Sequence, residues 1–307
     1  MDRISIGLAG IGKIARDQHL PALAASEDFT LCATASRNGR VEGIEAHASL
    51  EELLAARPDI AAVSLCTPPE VRFEPAMAAL RAGRHVMLEK PPAATVSEAE
   101  ALLQAARAAG VTLFATWHSR EAAEVDAARD WLADKRIDAV RICWKEDIRQ
   151  WHPGQDWILA AGGFGVFDPG INALSIATRI LPEPLTVIGA SLSVPENRAS
   201  PIAASIAFRT GGAPVEAEFD FLQTGQQSWD IEVDTGAGTL RLRDGGSRLE
   251  LPGMAPLAGS NEEYPRLYSR FAQLVRTGAC DVDLRPIQLV ADAFLVGDRV
   301  LVEPFDF

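Results

Sequence analysis

Ile4-Ser-Ile-Gly-Leu-Ala-Gly10-Ile-Gly12-Lys-Ile-Ala15 is the stretch that decides the fold. Ile4, Ile6 and Leu8 alternate as in a half-buried strand, predicted over Arg3 to Ala9, and Gly10 to Gly12 then turn into a helical stretch from about Lys13. A G-x-G-x-x-[G/A] pattern is weak alone, because glycine and alanine are common residues. Set between a strand and a helix, it describes the turn that seats a dinucleotide pyrophosphate. Gly10 is expected to permit the tight turn, Gly12 to let the backbone approach phosphate, and Ala15 to keep the helix close to the strand. The helix start at Lys13 and Ile14 then offers backbone N–H groups and a positive dipole end to the anion.

Working outward, the alternation continues. A strand is predicted over Phe29 to Ala35, and Ser49 with Glu52 reads as a capping box opening a helix that Pro58 ends. Ile60 to Cys66 is a nearly unbroken apolar run, as in buried parallel strands. A helix over Glu70 to Ala82 closed by Gly83, a strand over His85 to Leu88, a helix capped by Ser97 with Glu100 and ending at Gly110, and a strand over Val111 to Thr116 complete the series. This β-α-β-α order predicts a Rossmann domain, a doubly wound parallel sheet, over residues 1–120.

From about residue 121 the texture changes. A helix over Ala122 to Ala133 leads to a strand over Ala139 to Lys145, then a glycine-rich stretch and an apolar helix over Asn172 to Leu181. Alternating runs follow at Leu185–Val194, Ile202–Arg209, Val215–Phe221, Trp229–Asp234 and Thr239–Arg243. Their glycine punctuation predicts an α+β domain over residues 121–307 with a mainly antiparallel sheet. A last helix, from Pro286 to Val300, is expected to pack back on the first domain.

Composition narrows the function. The chain has 307 residues, 48% hydrophobic and 23% charged, which is enough for two cores without metal or disulfide support. A formal net charge of −13, with no basic run, argues against a nucleic-acid partner, since phosphates are held by clustered Lys and Arg. No stretch is apolar for long enough to span a bilayer, and the opening residues lack the blocks of a signal peptide. Cys32, Cys66, Cys143 and Cys280 are dispersed and read as reduced core residues, so a cytoplasmic protein is expected. His19, His47, His85, His118 and His152 show no metal-ligand spacing, and no metal is expected.

Coenzyme preference is read at the end of the second strand. Ala35-Ser36-Arg37 carries no carboxylate to hold a ribose 2′-hydroxyl, and an arginine can pair a 2′-phosphate instead. NADP is therefore expected to bind at least as well as NAD, with Ser36 and Arg37 contacting the 2′-phosphate. Thr67 and Glu89 complete the candidate coenzyme contacts. Lys90, in Glu89-Lys90-Pro91, directly follows a strand at the carboxyl edge of the sheet, where ligands bind.

Together with Ala161-Gly-Gly-Phe-Gly165-Val-Phe-Asp168-Pro-Gly-Ile-Asn172, these motifs resemble the glucose–fructose oxidoreductase, inositol dehydrogenase and MocA family over essentially the whole chain. That family is marked by the N-terminal fingerprint, an E-K-P tripeptide and a later D-x-G-x-H motif. Gly10 to Pro21, Trp144-Lys-Glu-Asp147, Trp151-His-Pro-Gly154 and Phe167 to Ser175 are similar to its bacterial aldose 1-dehydrogenases. The resemblance implies oxidation of an aldopyranose, D-galactose or L-arabinose, at C1 to a lactone, and a homo-oligomer, with a dimer expected. Relatives acting on other polyols such as inositol, or non-catalytic nucleotide-binding regulators, are the alternatives.

One position departs from the family pattern. The motif's final His is Asn172 here, and asparagine takes no proton near neutral pH. Asp168 is then expected to take the hydroxyl proton, Lys90 to stabilise the oxyanion and Asn172 to orient the hydroxyl; neutral Lys90 as base with Asp168 positioning it is the reverse scheme. The resemblance places Glu146 and His152 at the sugar. His118, Trp151 and Trp229 are further candidates, since sugars need polar groups and flat apolar surfaces.

Overall fold

The computed structural model describes residues 2–307 and divides into two compact units. The first holds the chain up to His118 together with Glu262–Leu284; the second holds Ser119–Asn261 and Arg285–Phe307.

In the first unit, β1 (Ile4–Ala9), β2 (Phe29–Ala35), β3 (Glu45–His47), β4 (Ala62–Leu65), β5 (His85–Leu88) and β6 (Leu113–Ala115) form a parallel sheet of order β3-β2-β1-β4-β5-β6. The order reverses between β1 and β4, and this is the crevice where doubly wound sheets bind ligands. Helices α1 (Leu20–Ala25), α2 (Leu50–Ala56), α3 (Phe73–Arg81) and α4 (Val96–Ala109) connect the strands. A π-helical turn at Ala15–His19 runs into α1. Ile6, Leu8, Val63, Leu65, Val86 and Leu88 are fully buried, as central strands covered on both faces must be. The cap of α4 is shifted from the expected one. Thr95 Oγ1 accepts from Glu98 N at 3.2 Å, and the Glu98 carboxylate takes Ala94 N at 3.1 Å. Ser97 and Glu100 form a second, overlapping pattern of the same kind; the earlier one is used because it lets Ala99, Leu102 and Ala106 face the core.

In the second unit, β7 (Ile137–Lys145), β8 (Leu185–Pro195), β9 (Ala203–Thr210), β10 (Ala213–Asp220), β11 (Ser228–Thr235), β12 (Gly238–Arg243), β13 (Arg248–Glu250), β14 (Leu257–Ala258) and β15 (Asp298–Val302) make a sheet of order β14-β13-β12-β11-β7-β10-β9-β8-β15. It is mainly antiparallel; β7 with β10 and β8 with β15 pair in parallel. Helices α5 (Val125–Leu132), α6 (Ile148–Trp151) and α7 (Phe167–Ile180) belong to this unit. α7 comes close to the sheet: a Cβ at Gly170 would meet the Phe219 ring at 2.7 Å.

The C-terminal third corrects two expectations. The segment that joins the first unit is α8 (Glu263–Thr277), not the last helix; its buried stripe of Tyr264, Leu267, Tyr268, Phe271 and Leu274 packs beside Phe29 and Phe114. The last helix, α9 (Arg285–Val296), stays in the second unit and packs on α7 and β8. It also stops earlier than residue 300. Gly297 breaks it, and Asp298-Arg-Val-Leu-Val302 pairs with β8, as a run rich in β-branched residues favours. A single cut at residue 120 therefore does not describe the units. All four cysteines are free and half-buried, and Cys32, Cys66 and Cys280 pack at the edges of the first unit's core rather than fill it. No helix among the described residues is long and apolar enough to cross a membrane.

Candidate active site

The first unit places the fingerprint at the reversal point. Gly10 has φ +89°, and a Cβ there would lie 2.8 Å from Thr67 N and 2.9 Å from Cys66 C, so only glycine fits between the ends of β1 and β4. At Gly12 a Cβ would meet no protein atom within 4 Å, which leaves open space beside the helix start. Ala15 is fully buried against the sheet, and Ile14 is exposed. The first N–H groups of any helix lack intrahelical acceptors, so the turn at Gly12, Lys13 and Ile14 can donate to an anion. The Lys13 ammonium bonds Asp17 one turn on. Thr67 Oγ1 is buried with no hydrogen-bond partner among the described residues, at the very crevice where a ligand would supply one. At the end of β2, Ser36 Oγ accepts from Gly39 N at 3.1 Å and Arg37 stands exposed. The donors and the open cradle fit a dinucleotide phosphate group.

Glu89 is placed differently from a coenzyme contact. Its carboxylate is buried and accepts from Tyr264 Oη at 2.7 Å, from Lys90 N at 2.8 Å and, at 2.9 Å, from His19 Nε2. Burial alone would raise its pKa; the His19 hydrogen bond, the His19 and His118 charges and the Tyr264 hydroxyl outweigh burial and hold it well below the usual carboxylate range. His19 Nδ1 lies 2.8 Å from Tyr268 Oη. The network ties the helix after the fingerprint to α8 and anchors the backbone that carries Lys90, whose bond to Pro91 is cis. Arg72, buried, donates to the carbonyls of Thr67, Glu89 and Pro91 and so fixes the same edge. Sequence reading missed it, although Arg72 lies on the buried stripe with Ala76 and Leu80, where an unexplained cation signals a structural role. His118 belongs to this unit: its Nδ1 lies 2.6 Å from the Glu263 carboxylate and its ring stacks on Tyr264.

The second unit gathers most of the sugar candidates. On β7, Val140, Ile142 and Trp144 point into the core, and strand alternation puts Glu146 next on that face, just past the strand end. On β11, Trp229 pairs with Trp144 and shares the face of Ile231 and Val233. Trp229 Nε1 therefore donates to Glu146 Oε2 at 3.0 Å. The other oxygen, Glu146 Oε1, is 3.0 Å from His152 Nε2. His152 follows α6, which Asp147 caps by accepting from Arg149 N. Phe221 packs edge-on to the His152 ring, and Trp151 meets Trp229 edge-on at 5.2 Å.

Asp168 lies in the first turn of α7, buried, with Oδ2 3.9 Å from His152 Nδ1. The glycines before it pack closely: a Cβ at Gly163 would meet the Ile158 carbonyl oxygen at 2.3 Å, so this segment is close-packed against backbone. Asn172 sits one turn after Asp168, half-exposed; its backbone carbonyl accepts from Ser175 Oγ. Among the described residues no group of three or more His, Cys, Asp or Glu side chains could hold a metal ion.

Comparison with known proteins agrees with this architecture. Residues 4–117 match the oxidoreductase family with an NAD-binding Rossmann fold. The chain is 46% identical to galactose 1-dehydrogenase from Pseudomonas fluorescens over 318 aligned positions, covering 99% of each. It is 54% identical to the crystal structure of D-galactose-1-dehydrogenase from Rhizobium etli, with a TM-score of 0.96 over 100% of this chain and 99% of that one. A 3-ketoreductase from Actinomadura kijaniata, solved with NADP and TDP-benzene, shares the fold at 23% identity and a TM-score of 0.85 over 98% of this chain and all of the other.

Proposed function

The chain belongs to the glucose–fructose oxidoreductase, inositol dehydrogenase and MocA family of NAD-binding oxidoreductases, and from that premise we propose that it oxidises D-galactose, with L-arabinose as a second substrate, at C1 to the aldonolactone. The two sugars share the ring hydroxyl arrangement and differ at the exocyclic carbon, so one pocket can take both. The observation that carries this reading is the cluster in the second unit: Glu146, His152 and Asp168 in succession, with the Trp229 indole N–H on Glu146 and Trp151 edge-on to Trp229. Buried, mutually oriented polar groups beside flat aromatic surfaces suit a pyranose, with hydroxyls on its rim and C–H bonds on its faces.

When bound, a nicotinamide coenzyme would supply the acceptor for the C1 hydride. Gly12, Lys13 and Ile14 would hold its pyrophosphate at the helix start, Thr67 Oγ1 would offer a donor beside it, and Ser36 with Arg37 would contact a 2′-phosphate, which favours NADP. Asp168 takes the C1 hydroxyl proton, the Lys90 ammonium stabilises the oxygen as negative charge grows, and Asn172 orients the hydroxyl. Glu146 and His152 bind ring hydroxyls. Glu89 and Arg72 act behind Lys90 by fixing its backbone.

A cytoplasmic homodimer is the expected form, and the exposed face of the large sheet, which carries Ser191, Ser205, Ala207 and Glu216, is the surface we assign to its contact. The test is a panel of pyranoses and polyols with the wild type and the Asp168→Ala and Lys90→Ala variants. D-Galactose and L-arabinose should saturate with similar turnover, and each variant should lose at least about a hundredfold in kcat. Equal rates with myo-inositol, or near-normal turnover in both variants, would overturn the assignment.

A further inference from the structure

Asn172 leaves Asp168 without an imidazole on its own helix, yet an imidazole stands at that carboxylate from another element. Trp229 N–H is a donor only, so Glu146 Oε2 must accept from it, and Glu146 Oε1 is left to face His152 Nε2. A carboxylate in that position fixes the hydrogen on Nε2, which leaves Nδ1 of a neutral ring bare and turned toward Asp168 Oδ2, 3.9 Å away. That gap is too long for a direct bond, and two acceptors face each other across it; it closes by a small turn of the ring once Asp168 carries the proton and its O–H can donate to Nδ1. The three side chains grade in exposure: Glu146 and Asp168 are each 7% exposed and His152 is 16% exposed. Among the described residues, Glu146, beyond the end of β7, and Asp168 on α7 face the ring nitrogens, and Phe221, beyond β10, packs edge-on to the ring.

Resting on the dehydrogenase reading, we propose that His152 is the proton relay of this site, carrying the sugar hydroxyl proton from Asp168 to solvent. As the C1–H bond breaks and its electron pair leaves as hydride to the oxidised coenzyme, the O–H proton passes to the Asp168 carboxylate and C1=O forms. Asp168 returns to the carboxylate by giving that proton to His152 Nδ1. The imidazolium is held by Glu146 through Nε2–H and releases the Nδ1 proton to water. Protons and charge balance over the cycle: one hydride goes to the coenzyme and one proton to solvent. His152 thus takes up the role vacated at position 172, from the loop after α6 rather than from α7.

Three measurements test this on the 307-residue protein. With D-galactose and NADP, His152→Gln, which keeps a hydrogen-bonding side chain beside Glu146, should lower kcat about a hundredfold, a loss well beyond its effect on the sugar KM. Added imidazole should restore at least about tenfold of that loss. In the ligand-free wild type, nitrogen-15 NMR of the imidazole should show the hydrogen on Nε2 and a bare Nδ1, a readout independent of activity and of whether the variant folds. A wild type that oxidises no pyranose overturns the dehydrogenase reading and the relay with it. A wild type that does so, while His152→Gln keeps kcat within about threefold or the ring carries its hydrogen on Nδ1, overturns the relay alone.

Discussion

The two fingerprint glycines should fail in opposite ways when each is replaced by alanine. At Gly10 the added methyl meets two costs. The backbone φ of +89° is one that L side chains rarely adopt, at about 1–3 kcal/mol. Its Cβ would also lie 2.8 Å from Thr67 N and 2.9 Å from Cys66 C, backbone atoms that can yield only if β1 and β4 part, for about 1–3 kcal/mol more. Gly10→Ala should therefore lose about 2–6 kcal/mol, a large share of the stability of an ordinary domain. At Gly12 the methyl meets no protein atom within 4 Å, and the backbone there is not in the left-handed region. Gly12→Ala should change stability by less than about 1 kcal/mol. The same methyl stands where the coenzyme phosphate would approach, and the Kd for NADP should rise at least about tenfold, equal to about 1.4 kcal/mol. Urea unfolding of each variant, paired with NADP titration by calorimetry, separates the two effects. Unaltered NADP affinity in Gly12→Ala, or a loss of stability as large as that of Gly10→Ala, would refute the reasoning.

Other perturbations give equally specific outcomes. Arg37→Asp should raise the KM for NADP far more than that for NAD, and equal changes in both would remove Arg37 from the coenzyme site. Glu89 has its pKa depressed in the fold, so its contribution to stability is present above the ordinary carboxyl value near 4.5 and is lost as pH falls below it. Glu89→Gln should be less stable than wild type at pH 7, by about 3–5 kcal/mol for one member of a buried pair, with the gap narrowing in acid; parallel curves down to pH 3 would contradict this. The C-terminal residues brace the sugar loop: Arg149 on α6 stacks over Phe305 at 4.7 Å, and Arg198 joins the Phe305 carbonyl to Asp156. Removing Phe305 to Phe307 should raise the sugar KM by about tenfold with kcat within about twofold, since α6 carries Trp151 and His152; unaltered KM would show the brace to be idle.

Much of this architecture was legible because its signals are local. The strand-glycine-helix corner at Gly10 and Gly12 requires only neighbours in sequence, and so does the alternation that placed β7 to β12. What was hidden depends on distant partners. The stripe of α8 reads as an ordinary amphipathic helix in hindsight, but nothing near residue 262 says that it belongs with β1 and β6 rather than with the sheet it follows. The expected final helix, Pro286 to Val300, is divided at Gly297 because β8 offers an edge, a fact set far upstream. The site shows the same division. Asp168, Glu146 and His152 were selected by motif resemblance, whereas the hydrogen bonds from Trp229 to Glu146 and on to His152 exist only once β7 and β11 are in register. Glu89 was expected at the coenzyme, and the fold instead turns its carboxylate inward to His19 and Tyr264, partners on two other elements.

The most direct trial of the central claim is the growth of NADPH absorbance when the purified protein is mixed with NADP and D-galactose, followed by identification of the sugar product. The account predicts one galactonolactone formed for each NADPH, with saturation in both substrates. A flat trace with galactose and arabinose, under conditions where the protein is folded and binds NADP, would contradict it.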